Sequence, residues 1–367
     1  MRRRDGDSAA NRLLLIEPNL RGPSAHYADF VRSLGESCGD ERLEVYAHPD
    51  ADAMLGAMPG VDVTLQEPRV GLPLAEWRTI MREVRAGNPF LVLTADARHA
   101  CAITMAAAFT GTDPRSARLF FHRPPTTTRD QYLFPLTWAA RQHSLAVTST
   151  EQVAESLRSL GWRRVVCVPY PAVGPATAPE PAPFRHLLMA GAARLNKGLD
   201  LVAGLAETWA AEGRSIPLLV QVSQKHADRH GHREGEVVRA LLASGYRGLV
   251  ADDTAPDRAA YLSRFAGALV LAPYAREQFA SQVSGIVLDA LLNGAPVIAT
   301  AGTWPGAQVE RFGAGETISE RSPAALAQAI ELVLADWDGY SARACEAGRT
   351  LAREHDPANL LRVLCAR

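Results

Sequence analysis

The chain has 367 residues, more than one ordinary core takes and enough for two α/β domains. A hydrophobic content of 47% with 22% charged residues is that of a globular protein, and a net charge of −1 gives no electrostatic footprint for nucleic acid. No segment approaches the ~18 consecutive apolar residues that span a bilayer. Five cysteines, scattered and never CxxC, argue against a disulfide framework or a zinc site. These features predict a cytoplasmic protein with reduced thiols. The basic tip Met1–Arg4 allows at most peripheral contact with the inner membrane face.

In chain order, Arg12–Ile16 is a short apolar run that reads as a first buried strand. A loop through Gly22 and Pro23 follows. Ser24 is then placed to cap a helix over Ala25–Leu34. Strand-like runs recur at Leu43–Ala47, Phe90–Thr94, Leu119–His122, Leu145–Thr148 and Val165–Val168, with helical stretches between them. This alternation predicts a doubly wound parallel sheet for residues 1–168.

Residues 169–184 break the pattern. Six prolines fall between Pro169 and Pro183, which suits an extended, semi-rigid interdomain linker and not a strand. A second α/β series runs from 185 to 350. Its strands are expected at His186–Ala190, Pro217–Val222, Gly248–Val250, Ala268–Ala272 and Pro296–Thr300, and its helices at Leu199–Glu212, Glu236–Ser244, Asp257–Phe265 and Ser322–Asp336. A C-terminal helix over 351–367, after Asp356-Pro357, closes the chain. Two Rossmann-like domains facing across a cleft would place a ligand between them.

The chemistry concentrates in two segments of the second series. Gly191-Ala-Ala-Arg194-Leu-Asn-Lys197-Gly198 sets two cations and two glycines between a strand and a helix. The amino end of that helix favours an anion, and the two cations add full charges to it. Only two lysines stand among 39 cationic residues, Lys197 and Lys225. A lysine retained against such an arginine bias suits a place that needs a compact ammonium. The loop is neither GxxxxGK[ST] nor GxGxxG. In the second segment, Ser284-Gly285 opens an apolar helix that carries Asp289, a carboxylate suited to the hydroxyls of a ribose. Together they point to an activated donor of the nucleotide-sugar kind.

With both segments in view, GxxRxxKGxDL followed by SGxxxDAxxxGxPVxAT resembles the donor domain of family 4 glycosyltransferases, which have the GT-B fold. The resemblance is good over about 184–320 and looser in the first half, through Gly22 and His122. It implies transfer of a sugar from a nucleotide-sugar donor to an acceptor hydroxyl on a glycan, a lipid-linked sugar or a small metabolite, with retention at the anomeric carbon. It implies a place in polysaccharide biosynthesis, no cofactor and no required metal. Arg194 and Lys197 would hold the donor phosphates, with His122 as the third catalytic-site group, reaching the donor sugar. Ser284, Gly285, Ile286 and Val287 would line the diphosphate and ribose, with Asp289 on the ribose hydroxyls and Gly22 close to the sugar. His26 and Asp96 are weaker acceptor-side candidates. Trp304 and Pro305 are candidates for the base pocket.

Two departures stand out. Ser281 occupies the position where the family often has a glutamate, and Asp289 is one methylene shorter than the usual second glutamate. They leave open a non-catalytic nucleotide-sugar-binding protein that has lost turnover. A sugar-nucleotide epimerase is a weaker alternative, because no pair of acid and base carboxylates is evident. His226, His230 and His232 lie among charged residues with no completing ligand, so no metal site is expected there.

Overall fold

The computed structural model describes residues 12–22, 26–38, 42–58, 60–65, 72–222, 232–254 and 256–366. These group into two compact units, Met1–Val173 with Glu354–Arg367, and Gly174–Arg353. The proposed cap Ser24 and the histidines 226 and 230 lie outside the described residues.

The first unit is built on seven parallel strands: β1 (Arg12–Glu17), β2 (Arg42–Ala47), β3 (Val61–Leu65), β4 (Phe90–Val92), β5 (Ala117–Phe121), β6 (Leu145–Thr148) and β7 (Val165–Cys167). Their order is β3-β2-β1-β4-β5-β6-β7. Strand β1 shows why the run Leu13–Ile16 is continuously apolar. Leu13 and Leu15 enter one core layer, while Leu14 and Ile16 enter the layer on the opposite face. Helices cover both faces of a parallel sheet, so a central strand has no polar side.

The second unit has six strands: β8 (His186–Met189), β9 (Leu218–Gln221), β10 (Leu249–Asp252), β11 (Ala268–Ala272), β12 (Val297–Thr300) and β13 (Gly315–Ile318). Their order is β10-β9-β8-β11-β12-β13, again all parallel. Each unit is thus built on an open, doubly wound parallel sheet.

Two features differ from the sequence expectations. The strands β3 and β13 are additional; Val61–Leu65 and Gly315–Ile318 are short and lie at sheet edges, where the apolar signal is weak. The helix Trp337–Glu354 is also additional. The proline-rich segment, expected as a semi-rigid linker, contains the boundary between the two units and is hydrogen-bonded on both sides of it. The Ala172 N–H donates to the His355 carbonyl at 2.9 Å and His355 Nδ1–H to the Tyr170 carbonyl at 2.7 Å, within the first unit. In the second unit, Trp337 Nε1–H donates to the Ala182 carbonyl at 2.8 Å. Proline removes a donor but leaves the carbonyls available, and these hold each half of the segment to its own unit.

The C-terminal helix Pro357–Cys365 returns to the first unit. Its Leu360, Leu361 and Leu364 join the same core layer as Leu13 and Phe30.

Candidate functional site

In an open parallel sheet, the carboxyl edges of the strands diverge where the order reverses, and that is where ligands bind. In the second unit the reversal lies between β8 and β11. These two are paired in parallel, so the loops leaving them rise from the same edge. One loop is 190–198; the other begins at Pro273 and Tyr274.

The two loops are tied together. Ala275 N–H donates to the Asn196 carbonyl at 2.8 Å, and the Asn196 amide donates to Gln278 Oε1. Arg321 Nε–H donates to the Pro273 carbonyl at 3.0 Å and Nη2–H to the Leu195 carbonyl at 3.3 Å. Gly191 N–H donates to Gln221 Oε1 at 2.8 Å.

Two glycines make the approach possible. Gly198 has φ +86°, and a β-carbon there would meet Pro273 Cγ at 2.5 Å. Gly191 has φ +74°, and a β-carbon there would lie 2.5 Å from Ile286 Cδ1 and 3.7 Å from Lys197 Nζ. Lys197, Ile286 and Gly191 therefore converge on one spot, although Lys197 and Ile286 are far apart in sequence.

Arg194 precedes and Lys197 ends the single turn Leu195–Lys197 that leads into the helix Leu199–Ala211. Lys197 Nζ sits 5.8 Å from the centre of the Tyr274 ring. Burial, and after it the positive charge of Arg194, pushes the Lys197 ammonium down to about 8. Arg194 Nε is buried without a hydrogen-bond partner. Among the described residues neither cation has a carboxylate within ion-pair distance. Two adjacent cations, one with an unmet donor, stand at the start of a thirteen-residue helix, an electrostatic setting that favours an anion.

The second segment completes this edge. Ser284 caps the helix Gly285–Leu292, its Oγ accepting from Val287 N–H at 3.4 Å. It also hydrogen-bonds Tyr274, whose phenol is pushed up to about 12, chiefly by burial. Gly285 is exposed with open space beside it, so the backbone at this helix start is accessible. Val287 is wholly buried. Asp289 accepts from the Tyr261 hydroxyl at 3.2 Å and lies 3.9 Å from Arg258 Nη2. Both partners come from the segment around Arg258–Ser263, which the sequence reading left out of the site. Ser281 is half-buried in the loop before Ser284.

In the first unit the order reverses between β1 and β4. Glu17, at the end of β1, is fully buried. It accepts from the Thr94 hydroxyl, just beyond β4, and from Asn19 N–H at 3.0 Å. Burial raises its carboxyl above the ordinary value; the bonds to Thr94 and Asn19 offset part of the rise. His122, just after β5, donates from Nε2–H to the Leu93 carbonyl at 3.0 Å, which places its proton on Nε2. Its ring packs against Phe120, 4.8 Å between centres, and Tyr27, 6.5 Å. Glu17, Tyr27, Thr94 and His122 thus gather at one edge. Glu17 and Thr94 were not singled out from sequence, although a carboxylate directly after the first apolar run was a usable signal.

The weaker candidates are placed differently. His26 begins the helix His26–Ser37, but its side chain lies outside the described residues. Asp96 caps the helix Ala97–Thr110 and is paired with His99, Arg98 and Arg129. Burial alone would raise the Asp96 carboxyl; the bonds to His99 and Arg98 outweigh it and hold it well below its usual range. His99, bonded on its other side to Glu76, is raised to about 9: burial works against the imidazolium, and the two carboxylates overcome it. Asp96 is therefore a capping and pairing group in this fold. A β-carbon at Gly22 would meet no atom within 4 Å, so this position is open. Trp304 and Pro305 start the helix Trp304–Phe312, with Pro305 buried, just beyond β12. No cluster of three or more His, Cys, Asp or Glu suited to a metal occurs among the described residues. No helix among them is long and apolar enough to cross a membrane.

No family model matches the chain, and no curated protein matches it in sequence. Solved structures do match over nearly its whole length. HepE of Anabaena, in complex with UDP, superposes with a TM-score of 0.67 at 12% identity, covering 96% of this chain and 98% of that one. Sucrose-phosphate synthase of Thermosynechococcus elongatus gives 0.68 at 14% identity, covering 96% and 97%. A glycosyltransferase of Rickettsia africae gives 0.67 at 12% identity, covering 96% of each.

Proposed function

We propose that this chain is a retaining glycosyltransferase that moves a hexosyl group from a nucleotide sugar to an acceptor hydroxyl. The observation that carries the reading is the uncompensated pair Arg194 and Lys197 at the reversal point of the second sheet. HepE, which shares the fold, was solved with UDP and with UDP-glucose, and both carry the diphosphate that two such cations would neutralise. Cleavage of the sugar–phosphate bond leaves a second negative charge on the terminal phosphate of the departing diphosphate. Cations already fixed there lower the barrier without reorganising.

In this reading Lys197 and Arg194 contact the diphosphate, and the exposed backbone at Gly285 and Ile286 donates to it. Asp289, steadied by Tyr261 and Arg258, reads the ribose hydroxyls. The first-unit edge around His122 and Gly22 serves the sugar and its acceptor. Lys197 and Arg194 supply the charge that a metal would otherwise bring, so no metal or cofactor is needed. The acceptor is a glycan, a lipid-linked sugar or a small metabolite, and the setting is polysaccharide assembly in the cytoplasm, with membrane contact at most peripheral.

The test uses UDP-, GDP-, ADP- and dTDP-sugars in a thermal-shift panel on the wild type and Lys197→Ala. A ligand at 100 times its Kd stabilises by about 2.7 kcal/mol. A shift with one nucleotide that vanishes in the variant supports the reading. No shift with any of them removes it. Product anomers read by NMR then separate retention from inversion. Binding without product, across glycan and lipid-linked acceptors, would favour the second reading, a nucleotide-sugar-binding protein without turnover, which the serine at 281 motivates.

A further inference from the structure

At the edge of the first sheet opposite to Glu17, Thr94 and His122 lies a cavity of about 1090 Å³. It opens at the amino ends of β1, β4, β5, β6 and β7 and is closed on one side by the end of the C-terminal helix. Five arginines line it: Arg12, Arg115, Arg118, Arg164 and Arg362; among the described residues no carboxylate does. Arg12 is paired outside the lining with Glu44 and Glu83, and Arg115 with Asp113.

The other three have only neutral partners among the described residues. Arg164 Nη1–H donates to the His143 carbonyl at 2.9 Å, and Arg362 donates to the Asn359 amide oxygen. Arg118 is 7% exposed. It donates from Nη1 to the Ser116 carbonyl at 2.6 Å and from Nη2 to the Ala366 carbonyl at 3.1 Å, while its Nε has no partner. A guanidinium buried to this degree with a donor unmet, beside a second unpaired arginine, is costly unless an anion joins it. Burial first, and the charge of Arg164 as well, act against the Arg118 cation, with Cys365 partly opposing them.

We propose that this cavity is a second anion site, separate from the donor edge, for a small molecule carrying two or more phosphate charges. Arginine forks match phosphate oxygens in pairs, and Leu145, Val166 and Val363 give the rest of such a molecule an apolar wall. The volume exceeds what a single inorganic phosphate fills. Because Arg118 already holds the Ala366 carbonyl, an anion here fastens the C-terminal helix to the sheet and stabilises the first unit. The role is that of an effector site, since it sits at the sheet edge away from the reversal point.

The experiment titrates inorganic pyrophosphate into the full chain by calorimetry, in a Lys197→Ala background that removes the phosphate-binding lysine of the second unit. Saturable binding is expected there, and it should weaken at least about tenfold when Arg164→Gln and Arg362→Gln are added. Both arginines are exposed, so unliganded melting should be unchanged; the circular dichroism spectrum checks that the fold is kept. No saturable binding up to about 10 mM, or binding indifferent to the two glutamines, overturns the proposal. A third arm uses vesicles of anionic and of neutral phospholipid. Sedimentation with the anionic vesicles that depends on these arginines, without pyrophosphate binding, also overturns it in favour of a lipid headgroup.

Discussion

The two sheets reverse order in the same way and present opposite chemistry at the reversal. In the first unit the edge between β1 and β4 holds a buried carboxyl, Glu17, with the hydroxyl of Thr94 and the rings of Tyr27 and His122. In the second, the edge between β8 and β11 holds Arg194 and Lys197 with no carboxylate partner among the described residues. Topology fixes where a ligand sits, because only there do neighbouring loops part. The residues on those loops fix what it is. Under the proposed function the unlike edges would take unlike substrates, a diphosphate at one and a hydroxyl-rich partner at the other.

The sharpest way to break this contrast is to remove its positive half. Lys197→Ala should lower transferase turnover by about 10²–10³-fold, the scale of losing one preorganised charge stabiliser. Arg194→Ala should follow it. Initial rates with the donor found in the thermal-shift panel check both; unchanged turnover would end the assignment of this edge to the diphosphate.

Next in size is the support beneath that edge. Gly198→Ala puts a side chain at φ +86° and against Pro273, which should cost about 1–3 kcal/mol of stability. Urea unfolding should show the loss, and a tryptophan signal from Trp209, in the core of the second unit, should report it.

On the first unit the contrast is tested by pH. His99 is raised to about 9 from the ordinary 6.5, so its contribution is whole below about 6.5 and is lost as pH rises through about 9. His99→Gln should flatten the melting temperature across that window. If the slope of the wild type survives in the variant, the His99–Asp96–Glu76 pairing is not its source.

The smallest effect is expected at Glu17. A carboxyl raised in the folded state stabilises below its ordinary value near 4.5, and that contribution fades as pH rises through the raised value. Glu17→Gln keeps an acceptor for Thr94 and removes the titration. It should cancel this part of the pH dependence while leaving donor binding at the other edge intact, and melting curves from mildly acidic to neutral pH would show it.

Much of this was written locally. Buried strands of a parallel sheet need apolar residues on both faces, so Leu13–Ile16, Leu187–Met189 and Ala268–Ala272 were evident from their composition. The loop Gly191–Gly198 announced itself because glycine, cation and helix start are neighbours in sequence. The edge strands β3 and β13 left little trace, since a strand with one partner needs fewer buried positions. Asp96 looked like a cleft carboxylate, but Arg129, from another helix, pairs with it, and His99, which it also binds, is held on its far side by Glu76 of a third helix; only these contacts show that its charge is already used.

By itself, then, the sequence determined two parallel α/β domains and a cationic loop at a strand-to-helix junction, because both depend on patterns within a few residues. Tertiary structure alone decided the rest. It brought Ile286, Tyr274 and Arg321 to the Lys197 loop, set Thr94 on Glu17, returned Leu360 and Leu364 to the first core, and gathered five arginines at one sheet edge. The physical reason is the crossover connection: parallel neighbours in a sheet are separated by a helix or more of chain, so groups in contact there are remote in sequence.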